Sequence, residues 1–202
     1  MKKAALKEAK SKTGKKNPAF VYRWEHVKAV VSQARRLAKL VGADLEIVEA
    51  AAWLHDVKKF ENGAKHAELG AHFARELLPK TNFPKKKIEA VAHAITVHTG
   101  LWRDKPLKIL EAQVLWDADK LTKIGLTATF HWVPERLVRQ DVSYTTEKII
   151  NFGQNIDWQD KTVASFHTEA AKKAGAARLK AFRQLWKQLG RELKGKDLSN
   201  GQ

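Results

Sequence analysis

Apolar residues return at spacings of three and four along most of this chain, and period-two runs of Val and Ile are missing. Val27, Val30, Val31, Ala34, Leu37, Ala38 and Val41 form one such stripe, closed by Gly42. That period lines one face of an α-helix, whereas a half-buried strand needs strict alternation. Asp44 then offers an N-cap to a second helix, expected to run through Lys59 with Val48, Ala51, Ala52 and His55 on one stripe. Asn62-Gly63 marks a turn. His66, Leu69, Gly70, Phe73, Ala74 and Leu77 predict a third helix ending near Pro79. Asn82 and Pro84 open a fourth, whose inner face is Ile88, Val91, Ala92, Ile95 and His98, with Gly100 as its stop. A fifth is expected from Pro106 to about Leu121.

Residues 123–142 break the pattern. Gly125, Pro134 and the cluster Phe130-His131-Trp132 suggest short helices or a packed lid. A short helix is expected over 145–155, and the longest pattern runs from about Asp160 to Leu193. Val163, Phe166, Ala170, Ala174, Ala177, Ala181, Leu185, Leu189 and Leu193 carry its stripe, which Phe182 and Trp186 widen. Such a face can pack on the core or on a second copy of the chain, so a homodimer is one expectation. With no sheet pattern, no internal repeat and no glycine-rich phosphate loop, the fold class is all-α: a compact multi-helix bundle with a long C-terminal helix. A chain of 202 residues buries one substantial core. The expected division is a basic, disordered tail over 1–17, a core over 18–142, and C-terminal helices over 143–202 that pack on it and present a basic face.

Charge locates the ends. The net charge is +16, and residues 1–16 hold seven Lys against Glu8, while 172–196 hold nine Lys and Arg against Glu192. The middle is nearly balanced. A solvated tail and a soluble helix face account for this, and so does attraction to nucleic acid or another polyanion. No run of about 18 apolar residues is present, so no membrane span is expected. The Lys-rich start lacks the apolar stretch of a secretory signal, and with no cysteine there is neither a disulfide nor a thiolate metal site. Cytoplasmic residence is the expectation.

Chemistry-bearing residues fall in a definite order: His26, the dipeptide His55-Asp56, then Asp119. Each lies in or beside a helical segment. Ligand-type residues converging from separate helices can hold a divalent cation, and a held cation can activate water. His55-Asp56 ends the apolar run Ala50-Ala51-Ala52-Trp53-Leu54, so the imidazole points inward, with Lys59 one turn on along the same face. The bland alternative is a hydrogen-bonded core histidine beside a capping carboxylate. Asp117 and Asp119 both sit in the apolar run Leu115 to Leu121, where a buried carboxylate needs a cation or donors. Residues two apart on a helix face nearly opposite ways, so both cannot easily bind one ion. Periodicity does not choose between them. His66 and His98 occupy the inner stripes of their helices. His93 should face elsewhere, Glu68 should be a surface carboxylate, and His131 and His167 lie outside the pattern.

In combination these residues resemble the HD-domain metal-dependent phosphohydrolase superfamily, over roughly residues 20–142. The resemblance implies that His26, His55, Asp56 and Asp119 are the metal ligands, since Ala118-Asp119-Lys120 matches the family's last ligand motif. It leaves Asp117 and Lys120 as second-shell groups or substrate contacts. His55-Asp56-Val57-Lys58-Lys59 resembles members whose lysine faces the substrate phosphate, so Asp56 and Lys59 are the expected catalytic pair. His66 and His98 resemble histidines that hold a second ion in two-metal members, including the symmetrical dinucleoside tetraphosphate hydrolases; direct contact with substrate phosphate is the other reading. Imidazole with carboxylate suits Mn²⁺, Fe²⁺, Co²⁺, Ni²⁺ or Zn²⁺ better than an all-oxygen Mg²⁺ or Ca²⁺ site, with one ion expected and two possible. The implied function is hydrolysis of phosphoester or phosphoanhydride bonds in a nucleotide or related small phosphate compound. The alternatives are a nucleic-acid-binding protein with a vestigial or structural metal site, an HD nuclease, and an alarmone hydrolase. Trp53, Trp116 and Trp186 sit in apolar patterns, which fits core packing better than base stacking.

Overall fold

The computed structural model describes residues 1–11, 21–130, 133 and 145–198. Among them the chain is all-α, with no strand. The core is built from α2 (Tyr22–Val41), α3 (Leu45–Leu54), α4 (His66–Leu77), α5 (Ile88–Thr96) and α6 (Leu110–Leu121). The expected stripe of α2 is its buried face: Val27, Val30, Val31, Ala34, Leu37 and Ala38. α2 lies against α3 and α6, and α4 against α5. Gly42 ends α2 at φ +75°, where a Cβ would be strained. Asp44 caps α3, its Oδ1 accepting from the N–H groups of Glu46 (3.0 Å) and Ile47 (3.3 Å).

Three helix ends differ from the expected ones, and two of the differences shape the site. α3 stops at Leu54 rather than Lys59. The His55 side chain takes the Ala52 carbonyl, and the backbone continues in tight turns, Val57 N–H to Leu54 O and Lys59 N–H to Asp56 O. α5 ends at Thr96, so His98 lies beyond the helix instead of on its inner face. α6 starts at Leu110, after Pro106. It is then buried without interruption from Val114 to Leu121, hence on every side.

The first residues are a correction. Part of the expected disordered tail forms a helix, α1 (Lys2–Lys10), with Ala5 and Ala9 buried and the lysines turned outward. Two small residues one turn apart let α1 lie close on α2 and α3. Glu8 Oε1 accepts from the N–H of Phe60 at 2.9 Å. Residues 12–17 lie outside the described residues. So does most of the expected lid, of which 126–130 are helical.

The long C-terminal helix is also interrupted. α7 (Thr146–Gln154) matches the short helix expected there, but α8 (Trp158–Ala164) and α9 (Glu169–Leu193) are separate. Thr168 caps α9, its Oγ1 accepting from Ala171 N–H at 3.2 Å. The buried face of α9 is Ala171, Gly175, Leu179, Phe182 and Trp186, turned by one residue from the stripe through Ala170, Ala174 and Ala181. Asp117 explains the register. Its carboxylate accepts from the His167 and Thr168 backbone N–H groups and so ties the start of α9 to the middle of α6. Phe166 then lies so close that a Cβ on Gly175 would fall 2.4 Å from its ring, which only glycine avoids. Farther along, Phe182 and Trp186 join Ile150 in a small second cluster. No helix of the described residues is long and apolar enough to cross a membrane.

Candidate metal centre

The helix ends described above bring His26, His55, Asp56, His66, His98 and Asp119 to one place. All six are buried. Three of the four imidazoles are pinned in the same way. Nδ1 of His55 reaches the Ala52 carbonyl at 2.8 Å, that of His66 the Gly63 carbonyl at 2.7 Å, and that of His98 the Ile95 carbonyl at 2.6 Å. A carbonyl only accepts, so each Nδ1 carries a proton, and in the neutral ring Nε2 keeps the lone pair. His26 reaches the same state through a hydroxyl. Thr122 Oγ1 gives its one proton to the Asp119 carbonyl at 2.7 Å, so it accepts from His26 Nδ1 at 3.1 Å. Burial lowers the pKa of His26 and of His98 to about 4, and lowers that of His66, so these rings are neutral at pH 7.

The four lone pairs face one another in twos. His26 Nε2 and His55 Nε2 are 3.4 Å apart; His66 Nε2 and His98 Nε2 are 3.3 Å apart. Asp56 lies between the pairs, Oδ2 being 3.6 Å from His26 Nε2 and 3.5 Å from His55 Nε2. Its Oδ1 is 3.4 Å from His66 Nε2 and 3.8 Å from His98 Nε2. Asp119 Oδ1 completes the first group, 3.2 Å from His26 Nε2. With the histidine protons held at Nδ1, these contacts are acceptor against acceptor. A cation shared by each group relieves the repulsion, so imidazole and carboxylate donors here fit a divalent transition metal. His26, His55 and Asp119 converge within ligand distance of one another, as do His55, Asp56 and His98.

Basic side chains hold the carboxylates ionised. Burial works against the charge on Asp56, but the attraction of its surroundings, the Arg23 guanidinium included, keeps its carboxyl well below the usual range. Arg23 Nη1 donates to Asp56 Oδ2 at 2.5 Å. Asp119 is likewise opposed by burial, and Lys120 and Lys123 outweigh it. Lys123 Nζ donates to Asp119 Oδ1 at 2.8 Å, and Lys120 Nζ donates to Asp119 and, at 2.9 Å, to the His98 carbonyl. Burial pulls Lys120 down to about 8 despite Asp119, and it also lowers Lys59. Lys59 Nζ lies 3.3 Å from His66 Nε2. Arg23, Lys59, Lys120 and Lys123 border a cavity of about 290 Å³ that opens over Asp56, His66, His98 and Asp119. Its buried donors could hold a metal ion, and its basic edge could face an anion.

Asp117 stands apart from this arrangement. It accepts from His167 Nδ1 at 2.9 Å and from Thr168 Oγ1 at 2.8 Å, does not border the cavity, and contacts none of the clustered histidines. The expected second-shell or substrate role is therefore corrected to one of fastening α9. Glu68 is exposed, as expected, and His93 is exposed too; His131 lies outside the described residues. Sequence reasoning overlooked Arg23, Thr122 and Lys123. Two of them had a readable signal, because Arg23 precedes His26 by three residues and Lys123 follows Asp119 by four, both neighbour spacings on a helix.

Several solved structures have this fold. One is described as a predicted HD superfamily hydrolase from an uncultured Thermotogales bacterium, 23% identical over 96% of this chain and 92% of that one, with a TM-score of 0.63. Another is Bacillus subtilis YpgQ, solved in complex with ADP, 22% identical over 85% of this chain and 90% of that one, with a TM-score of 0.64. A Lactobacillus plantarum protein is 25% identical over 96% and 94%, with a TM-score of 0.64. No curated protein matches the chain in sequence. The model of one family, described as HD domain, matches residues 23–124, half of the chain and every residue of the metal cluster, and the chain belongs to that family.

Proposed function

We propose that this protein is a metal-dependent phosphohydrolase acting on a nucleotide or a related small phosphate compound. One observation carries the reading: four buried imidazoles with their Nε2 atoms facing across Asp56, under a cavity edged by basic side chains. His26, His55, Asp56 and Asp119 would hold one transition metal; His66 and His98, with the other oxygen of Asp56, would hold a second or meet the substrate phosphate. A bound divalent cation supplies Lewis acidity and a water of lowered pKa. The protein's own groups do the rest. Asp56, kept ionised by Arg23, can take a proton from the attacking water at a carboxylate oxygen. Lys59 and Lys123 face the cavity and offset charge gathering on phosphoryl oxygens, while Lys120 keeps Asp119 ionised. The complex of YpgQ with ADP supports the nucleotide half of the reading through a protein of the same fold.

The test is metal analysis of the purified chain, followed by a hydrolysis screen of nucleotides and inorganic polyphosphates with Mn²⁺, Co²⁺, Ni²⁺ or Mg²⁺. About one or two transition ions per chain with turnover is the expected result. Asp56→Ala should abolish turnover and keep the helical content. Full activity in that variant, or no metal and no turnover with any cation, refutes the proposal. A second reading, binding of a polyanion such as nucleic acid, draws on the exposed Lys173, Lys180, Lys187 and Arg191 of α9. Tight, salt-sensitive RNA or DNA binding without hydrolysis of any phosphate compound would favour it.

A further inference from the structure

The first helix reaches the metal site through a short relay. α1 lies outside the matched residues 23–124 and packs on α2 and α3 by Ala5 and Ala9. From the same helix Glu8 meets the loop that joins α3 to α4, where its Oε1 accepts from the Phe60 N–H at 2.9 Å. A carboxylate on a backbone N–H makes a charge-assisted bond, stronger than a neutral one. The bond falls at a sensitive point. That loop carries Asp56 and Lys59, and its Gly63 carbonyl fixes His66. Neighbouring donors are spent inside the loop, Lys59 N–H on the Asp56 carbonyl and Asn62 N–H on the Lys58 carbonyl. Phe60 N–H is held from outside, by Glu8.

Phe60 passes the constraint on. The Arg23 guanidinium lies over its ring, 5.8 Å from the centroid, and over the Tyr22 ring at 5.5 Å. At such distances an aromatic face attracts a cation, more strongly where water is excluded, and the Arg23 side chain is only 18% exposed. The same guanidinium donates to Asp56 Oδ2, and Arg23 borders the metal cavity. Two rings and one carboxylate thus set its place, and one of the rings belongs to the residue that Glu8 holds. Arginine has many rotamers, so a phosphate gains most from a guanidinium that is already in position.

We propose that Glu8 is a positioning residue for phosphate binding, which through Phe60 holds Arg23 at the edge of the metal cavity. The proposal rests on the phosphohydrolase reading of that cavity. Glu8 does not border the cavity itself, so its removal costs anion affinity and leaves the metal-ligand set intact. A hydrogen bond from Arg23 to a phosphate oxygen, lost outright, is worth roughly 10–100-fold in affinity. Without Glu8 the guanidinium keeps its charge and loses its fixed place. The loss is then the cost of ordering one rotamer-rich side chain, about three- to tenfold.

The experiment is calorimetric titration of the full chain, in saturating Mn²⁺, with methylenebisphosphonate, a diphosphate analogue that resists hydrolysis. Mn²⁺ affinity by chelator competition and the unfolding midpoint are measured on each variant. Glu8→Ala should bind the analogue about three- to tenfold more weakly. Glu8→Gln, whose amide oxygen still accepts, should stay within about twofold of the wild type. Phe60→Leu keeps the N–H and removes the ring; it should weaken the analogue as Glu8→Ala does, and it carries the test if that variant does not fold. Asp44→Ala removes the cap at the other end of α3 and gauges lost stability alone, so it should leave the analogue's affinity unchanged. In an Arg23→Ala chain, Glu8→Ala should change the affinity by less than about twofold, since the group it positions is gone. The proposal is overturned, with the phosphohydrolase reading left standing, by unchanged affinity in folded Glu8→Ala or Phe60→Leu, or by equal weakening in Asp44→Ala. Weakening explained by lost Mn²⁺, or an undiminished effect of Glu8→Ala in the Arg23→Ala chain, overturns it in the same way. If the wild-type chain supplied with Mn²⁺ does not bind the analogue, the phosphohydrolase reading loses its phosphate site and the proposal falls with it.

Discussion

Replacing Thr122 by Val changes one hydroxyl for a methyl, and it should weaken metal binding without touching a ligand. In the native arrangement the hydroxyl accepts from His26 Nδ1 at 3.1 Å because its own proton is committed to the Asp119 carbonyl at 2.7 Å. Valine leaves the Nδ1 proton without an acceptor in a fully buried ring. The imidazole then gains by moving its proton to Nε2, where Asp119 Oδ1 is 3.2 Å away. A hydrogen bond to a charged acceptor is worth about 1.5–3 kcal/mol. Metal binding must undo that preference, so the affinity should fall by roughly 10–100-fold, the usual range for losing a group that orients a ligand. The assay is competition of Mn²⁺ or Co²⁺ against a chelator, with thermal unfolding followed on the same sample. Thr122→Ser, which keeps the hydroxyl, should stay close to the wild type. An unchanged affinity in a folded Thr122→Val protein would refute the argument, since it would mean that the tautomer of His26 does not govern the site.

Three further outcomes are expected. Asp117→Ala strands donors on His167 and Thr168 and should cost about 3–5 kcal/mol in chemical denaturation while the folded chain keeps its metal; a loss of metal at full stability would return Asp117 to the metal site. Gly175→Ala places a Cβ 2.4 Å from the Phe166 ring and should destabilise by about 1–3 kcal/mol, read as a lower denaturant midpoint. For Asp44, burial opposes ionisation, but Lys87 and the N–H groups of Ile47 and Glu46 lower its carboxyl below the ordinary 3.8. Its contribution is thus complete above about pH 4 and is lost as the pH falls through the lowered folded value. The stability gap between wild type and Asp44→Ala should be about 1 kcal/mol at pH 7 and close toward pH 2; a gap that widens in acid would contradict this sign.

The helical core was legible because its stripes are one-sided. α2 shows its buried face in the spacing of Val27 to Ala38, and Gly42 and Asp44 mark the boundary that follows. Asp119 against Asp117 was not legible from period. α6 is buried on every side from Val114 onward, so each carboxylate lies in apolar company and only its partners distinguish them. His98 was assigned to a helix face because Ile95 and His98 keep the spacing, yet α5 ends between them and the ring folds back onto the Ile95 carbonyl. The first residues misled by composition. Lysines dominate residues 2–10, and the two alanines that seat α1 carry little weight in any count of apolar residues. The break at 165–168 depends on a carboxylate some 50 positions earlier, a contact that no local pattern encodes.

Where α3, α5 and α6 stop has a consequence for the order of events. His55 caps α3, His98 follows the end of α5, and Asp119 lies in the last turn of α6, so the C-terminal poles of these helices point at the cluster. Such poles carry about half a negative charge each and draw a cation. His66 opens α4, and Arg23 opens α2 with His26 a turn behind, so two N-terminal poles of the opposite sign border the same cavity. One hollow thus offers both polarities, and a metal–phosphate pair satisfies it better than either ion alone. By linkage, whatever factor a bound phosphate gains from the metal, the metal gains from the phosphate. An unliganded chain should therefore release its metal more readily than one holding its substrate.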